Sequence, residues 1–450
     1  MFKLINNIFW LPIFFSLGAF MMINSLSPLA AGTIAALIGG IVIVLKAKPE
    51  INYYLLITSM VFTNSYTGKI LGNEFDFLIS ANALASFSYT LGIVTLIHYF
   101  LLGRINNRLL RFTALDVWII VFVLLVVITS LFGVNFEKSI SGILRYPSFI
   151  ILYVLTRVVY TNRHELENFI RFSLGILLII FIFNLSKILA SEIYPSLSNF
   201  IFFIAPVTLI VYYKVINEST LESRLWLVIL LFGSLLMLVT ESRRILLAIA
   251  LIWIGVLKVY RVNVVILFGL ALVAIGSFTI IGEMDRYDRT FNALKQIVTG
   301  NSTEKTIESV STGRYGLWEA GLKMIRANPL TGVGLNNHTT EILQYGTDRS
   351  IRIHNVFLDT AAQAGIGALI VLLIIIIKMW ALINRSMIIN QINSDDQMYL
   401  LFVGLKISLV ALLVTALFGG SLILDKFGWF QFGLIVAATN FATRQSNYES

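Results

Sequence analysis

Cysteine is absent from the 450 residues, proline occurs seven times, histidine four times, and only 13% of the chain is charged. The missing cysteine excludes a disulfide scaffold, an iron–sulfur centre and any cysteine-built zinc site. With His98, His164, His338 and His354 as the whole histidine complement, metal-dependent hydrolysis is a poor fit, and no cofactor or metal site is expected. The scarcity of charge constrains more. Soluble domains carry about 25% charged and about 45 to 50% apolar residues, whereas 58% of this chain is apolar. No water-facing surface accommodates that composition, so the chain reads as an all-α, polytopic membrane protein.

A spanning helix needs about 20 mostly apolar residues. About fourteen such runs are present, and twelve remains an admissible count because several are short. They are Phe9–Ile23, Leu29–Leu45, Ile51–Thr63, Phe77–Leu101, Ala114–Gly133, Ile140–Val159 and Asn168–Ala190, then Asn199–Tyr213, Leu225–Thr240, Ile245–Leu257, Val262–Ile281, Val356–Ile377, Met398–Phe418 and Asp425–Phe441. The first run lacks a clear small-residue cleavage site and further runs follow at once, so it reads as a span and not a removable signal. Lys and Arg favour the cytoplasmic side, and every second short loop is basic, from Lys46 and Lys48 through Arg104, Arg108 and Arg111 to Lys378 and Arg385. The alternation places both termini in the cytoplasm. It also explains the net charge of +9 as a topology signal, in preference to nucleic-acid binding.

Three regions follow: spans over residues 1–281, a long outer loop over 282–355, and further spans over 356–450. Long ordered loops concentrate function, and this one mixes acids and bases closely, which predicts that it folds against the membrane. Helical spacing predicts one helix near Asp285–Thr299 and a second starting at Ser311 or Thr312 and stopping before Pro329. Arg314 would then sit in the first turn of the second helix, where free N–H groups favour anions. Pairing with Glu319 or Glu308 is an equal alternative. The segment Thr331-Gly332-Val333-Gly334 is turn-like and lacks the lysine of a phosphate loop.

Arg243 and Arg244 lie at an outer boundary, where the positive-inside rule disfavours them, so they face a cavity or, for one of the pair, anchor in the interface with Glu241 as partner. Arg145, Lys187 and Lys406 line the same cavity or reach the headgroups. His98 and His164 look like cytoplasmic interface residues. His354 stands where the loop meets the next span, followed by the helix-capping Asn355, and His338 competes with it. Arginines and one histidine on the outer face suit a lipid diphosphate that brings its own leaving group. Arginine forks hold phosphate oxygens, and a neutral imidazole accepts a proton from an attacking hydroxyl.

Thr240-x-Ser242-Arg243, Gly313-Arg314 with Trp318, Asn328-Pro329-Leu330-x-Gly332-x-Gly334, His354-Asn355-x-x-Leu358 and Gly365-x-Gly367 together resemble the O-antigen ligase and O-antigen polymerase superfamily. The resemblance covers about Thr240 to Gly367. It implies a GT-C-like glycosyltransferase of the bacterial inner membrane, open to the periplasm, metal-independent and inverting. Such an enzyme moves a glycan from undecaprenyl diphosphate to an acceptor hydroxyl, on a lipid-linked glycan or on lipid A-core, with a chain-length regulator as a further partner. It assigns Arg243 and Arg314 to the diphosphate and His354 to catalysis; Arg244 joins the diphosphate set without a clear family counterpart. Ala364 stands where many relatives carry an acid. About fourteen spans, and an Arg289-to-Gly300 spacing seen in some polymerases, favour polymerisation of repeat units over ligation. A multi-span transporter or lipid-linked glycan flippase is the rival from another class, which would show charges near the midplane and repeated halves.

Overall fold

The computed structural model describes residues 49–62, 81–101, 112–160, 314–347, 350–419 and 426–449, with the scattered positions 165, 249–252, 254, 295 and 299. The runs expected at Phe9–Ile23, Leu29–Leu45, Asn168–Ala190, Asn199–Tyr213, Leu225–Thr240 and Val262–Ile281 lie outside these residues, as does most of Ile245–Leu257. Every regular element among the described residues is helical. Four stretches are long and apolar enough to cross a bilayer: Ala114–Leu131, Phe136–Val159, Val356–Ile392 and Met398–Leu417. The protein is an all-α, multi-pass membrane protein.

Numbered in chain order among the described residues, the helices are α1 (Pro49–Phe62), α2 (Ala81–Leu101), α3 (Ala114–Leu131), α4 (Phe136–Ile143), α5 (Tyr146–Val159), α6 (Tyr315–Ala327), α7 (His338–Glu341), α8 (Val356–Ile392), α9 (Asp396–Leu417) and α10 (Lys426–Glu449). The chain divides into two compact units, residues 1–111 with 147–172, and residues 112–146 with 173–450. In the first, α1 packs on α2. Its interior is polar in places: the Tyr53 and Thr156 hydroxyls are 3.0 Å apart, and the Tyr160 ring meets Tyr53 edge-on at 5.6 Å between centroids. His98, expected as an interface residue, is buried within the protein, where Asn52 Nδ2 donates to its Nδ1 at 3.5 Å.

The second unit is built on α8, against which α3, α6, α9 and α10 all pack. α3 starts where its sequence dictates. Thr113 accepts from the Asp116 N–H at 3.3 Å while its own N–H donates to Asp116 at 2.6 Å, a closed capping box. The span expected over Ile140–Val159 falls within the apolar stretch Phe136–Val159, which a turn at Leu144 and Arg145 divides into α4 and α5, with Asn135 capping α4 through the Lys138 N–H at 3.0 Å.

α8 differs from expectation at its far end. Lys378 and Arg385 were placed in a loop, yet the helix runs through both to Ile392. Leu372, Ile375, Met379, Ile383, Ser386 and Asn390 recur every three or four residues and are all buried, so the inward stripe continues beneath the charges. Past its break at Gly365, α8 still has 27 helical residues, which at 1.5 Å each is about 40 Å and exceeds the hydrocarbon thickness. Lys406 on α9 is held by this far segment: its Nζ donates to Asn384 Oδ1 at 2.8 Å and stands 4.5 Å from the Trp380 ring centre.

Candidate functional site

The described part of residues 314–355 folds around one small core with the start of α8. Leu317, Ala320 and Met324, three and four residues apart on α6, pack with Val333, Ile342, Ile353 and Ala362. Trp318, Ile325, Tyr345 and Leu358 close over this cluster. α6 therefore docks on the start of α8, with its stop at Asn328, before Pro329, as the sequence requires.

Arg314 occupies the N-cap position of α6 and not its first turn, with φ −97°, ψ −16° and no capping bond from its side chain. A cap two or three residues earlier would have carried the helix through Gly313, a poor helix former. Arg314 is half-buried, at the start of a 13-residue helix. Glu319, one candidate for its partner, is engaged by Lys323 at 2.8 Å, a contact that lowers the Glu319 pKa.

His354 is half-buried in the last position before the α8 cap and has φ +58°. A left-handed non-glycine residue costs about 1 to 3 kcal/mol and persists only where its surroundings impose it. Those surroundings are visible on both sides. Ile353 is fully buried in the α6–α8 core. Asn355 caps α8 by accepting from the Phe357 and Leu358 N–H groups at 3.0 and 3.1 Å. Arg314 and His354 thus sit on segments of one core: Leu317, one turn after the arginine, and Ile353, immediately before the histidine, are both members of it.

Beside this core the Asn328–Gly334 segment threads a break in α8. Gly365 has φ +81°, ψ +170°, which frees the carbonyls of the preceding turn. Val333 N–H donates to Ala362 O at 2.8 Å, Gly334 N–H to Gln363 O at 2.9 Å, and Ile366 N–H to Pro329 O at 2.8 Å. The Ala362 and Gln363 carbonyls and the Ile366 N–H are thus taken up by the loop. A Cβ at Gly365 would strike the Leu330 carbonyl, and one at Gly332 would come 2.5 Å from the Gln363 carbonyl carbon. The glycines that mark the motif in sequence are thus a backbone clasp and not a phosphate cradle. α3 and α4 join it: Val134 N–H donates to Val333 O at 3.0 Å, and Asn337 Nδ2 donates to Ser139 Oγ at 2.9 Å and to Val333 O at 2.9 Å.

His338, the competing histidine, is buried in α7 with its Nε2 3.4 Å from Asp359 Oδ1. Burial, reinforced by the positive charge of Arg352, pushes its pKa down to about 3, so the ring is neutral. His338 is sealed from solvent, whereas His354 is half-buried. Asp359 escaped the sequence reading; its signal is a carboxylate on the inward face of α8, one turn after Asn355 and in line with Val356 and Gln363. Arg243, Arg244, His164, Lys187 and Glu308 lie outside the described residues, as does the helix expected over Asp285–Thr299 apart from Lys295 and Thr299.

Residues 226–373 match the family model for O-antigen ligase, about one third of the chain. The matched stretch takes in Arg243, Arg244, Arg314, His354 and the Gly365 break. No curated protein matches the chain.

Proposed function

Membership of the O-antigen ligase and polymerase family is supported by the match over residues 226–373, and from that premise we propose that the protein polymerises lipid-linked glycan repeat units at the periplasmic face of the bacterial inner membrane. The donor is a glycan on undecaprenyl diphosphate and the acceptor a sugar hydroxyl of a second lipid-linked glycan. The acceptor oxygen attacks the anomeric carbon from the side opposite the diphosphate. As that bond forms, the bond from the anomeric carbon to the diphosphate oxygen breaks, its electron pair leaves with undecaprenyl diphosphate, and the configuration inverts. His354 accepts the proton from the attacking hydroxyl. Arg314 and Arg243 hold the diphosphate and stabilise the charge that builds on it, with Arg244 beside them.

The observation that carries this reading is the placement of His354. It is a partly exposed imidazole at the junction of loop and span, fixed in a left-handed turn between a buried isoleucine and a capped helix, on the core that also seats the helix of Arg314. Purified protein incubated with a lipid-linked repeat unit alone is expected to build a ladder of products, and His354→Ala and Arg314→Ala, inserted at normal level, are expected to build none. The description of the matched family favours a second reading, ligation of a finished chain to lipid A-core. In that case product forms only when the core acceptor is added, and no ladder appears without it.

A further inference from the structure

Asp359 is a carboxylate with almost no solvent access, and neither of its oxygens completes a hydrogen bond. Both nitrogens of His338, 3.4 Å away at the nearest point, are in the same condition. Leaving such groups buried and incompletely paired is costly, and an apolar pair of similar volume would pack here more favourably. A buried polar group that has not been satisfied calls for a reason.

The surroundings supply one. Asp359 lies in the first turn of α8, its N–H bonded to Asn355 O at 2.8 Å. The Ile353 peptide N–H at the helix start is near enough to favour the charged carboxylate, short of a completed hydrogen bond. That peptide immediately precedes His354, the residue with φ +58°. On the other side His338 belongs to α7, whose neighbouring Asn337 is tied to Ser139 and Val333. Asp359 therefore stands between the anchored loop and the strained turn. Arg352, whose side chain is exposed, acts on both members of the pair through its charge.

We infer that Asp359, with His338 as its buried partner, is a positioning residue that fixes the Ile353–His354 turn and so aims the His354 imidazole. The inference rests on the proposed role of His354. Small displacements of a catalytic group cost rate and not affinity, which gives a signature distinct from loss of fold.

The test compares steady-state constants for a lipid-linked repeat unit on purified, monodisperse protein, with melting temperature measured alongside. Asp359→Ala is expected to lower kcat by about tenfold to a hundredfold with KM little changed. Asp359→Asn, which keeps an acceptor oxygen for the Ile353 N–H, is expected to restore most of that loss. His338→Gln carries the same test if Asp359→Ala does not accumulate, with a smaller fall in kcat and an unchanged KM. Wild-type kcat in folded Asp359→Ala, or an Asn variant as slow as the Ala variant, would overturn the inference. His354→Ala separates the two claims: if it is inactive while Asp359→Ala is normal, only the positioning role fails, and if it is active, the assignment of His354 fails first.

Discussion

The two segments of α8 on either side of Gly365 obey different rules. The first, Val356–Ala364, is enclosed by protein and buries Asp359, Thr360 and Gln363 alongside its apolar residues. The second, Ile366–Ile392, buries only one stripe and leaves Ile366, Ile370, Leu373 and Ile377 facing outward. In the first, partners are specific and polar, and position depends on backbone hydrogen bonds to the loop. In the second, packing repeats every three or four residues and position depends on shape. The break at Gly365 thus separates an enclosed, loop-bound segment from one with the outward apolar face of a membrane span.

The sharpest way to break this comparison is to close the gap. Gly365→Ala places a Cβ against the Leu330 carbonyl at a positive φ, and backbone atoms cannot step aside. A loss of about 3 kcal/mol or more is expected, seen as failure to accumulate monodisperse protein. Gly367→Ala, two residues on with nothing within 4 Å, is expected to behave as wild type in the same assay. In the span segment, Met379→Ala should cost about 2 kcal/mol through lost packing, while Ile377→Ala on the outward face should cost almost nothing, as read from melting temperatures in detergent.

That contrast also explains what the sequence disclosed. Spans were legible because composition and period carry them: the starts of α3 and α8 fall at Ala114 and Val356, where a threonine box and an asparagine cap announce them. Arg314 and His354 were legible as residues at helix starts. What was not legible was pairing across the fold. Gln363-Ala364-Gly365 reads as helix because only the incoming Asn328–Gly334 segment makes the break favourable. His338 reads as a competitor of His354 and His98 as an interface residue because their burial depends on distant residues, Asp359 and Asn52. The far end of α8 was cut short because Lys378 and Arg385 were weighed as loop charges, although the buried stripe beneath them continues.

A smaller effect separates the two segments by pH. Folded, His338 takes up a proton only near pH 3, against an ordinary value of 6.5. Between those values His338 binds a proton in the unfolded chain that it does not bind in the folded one. Its own contribution to stability is therefore complete above about pH 6.5 and falls as pH drops toward 3, by at most ~1.4 kcal/mol per pH unit. The melting temperature of wild type relative to that of His338→Gln should decline from pH 7.5 to pH 5. Smallest of all, Lys406→Met removes the bond to Asn384 and the stacking on Trp380 in the span segment. It should cost about 1 kcal/mol and leave activity intact, since its contacts among the described residues are with the span segment.

The central claim is that the imidazole held at the mouth of α8 takes part in breaking the lipid diphosphate linkage. Release of undecaprenyl diphosphate from a lipid-linked repeat unit, followed on purified wild type and His354→Ala of equal melting temperature, tests it most directly. The account predicts a rate lower by about a hundredfold or more in the variant. Release within twofold of wild type would contradict it.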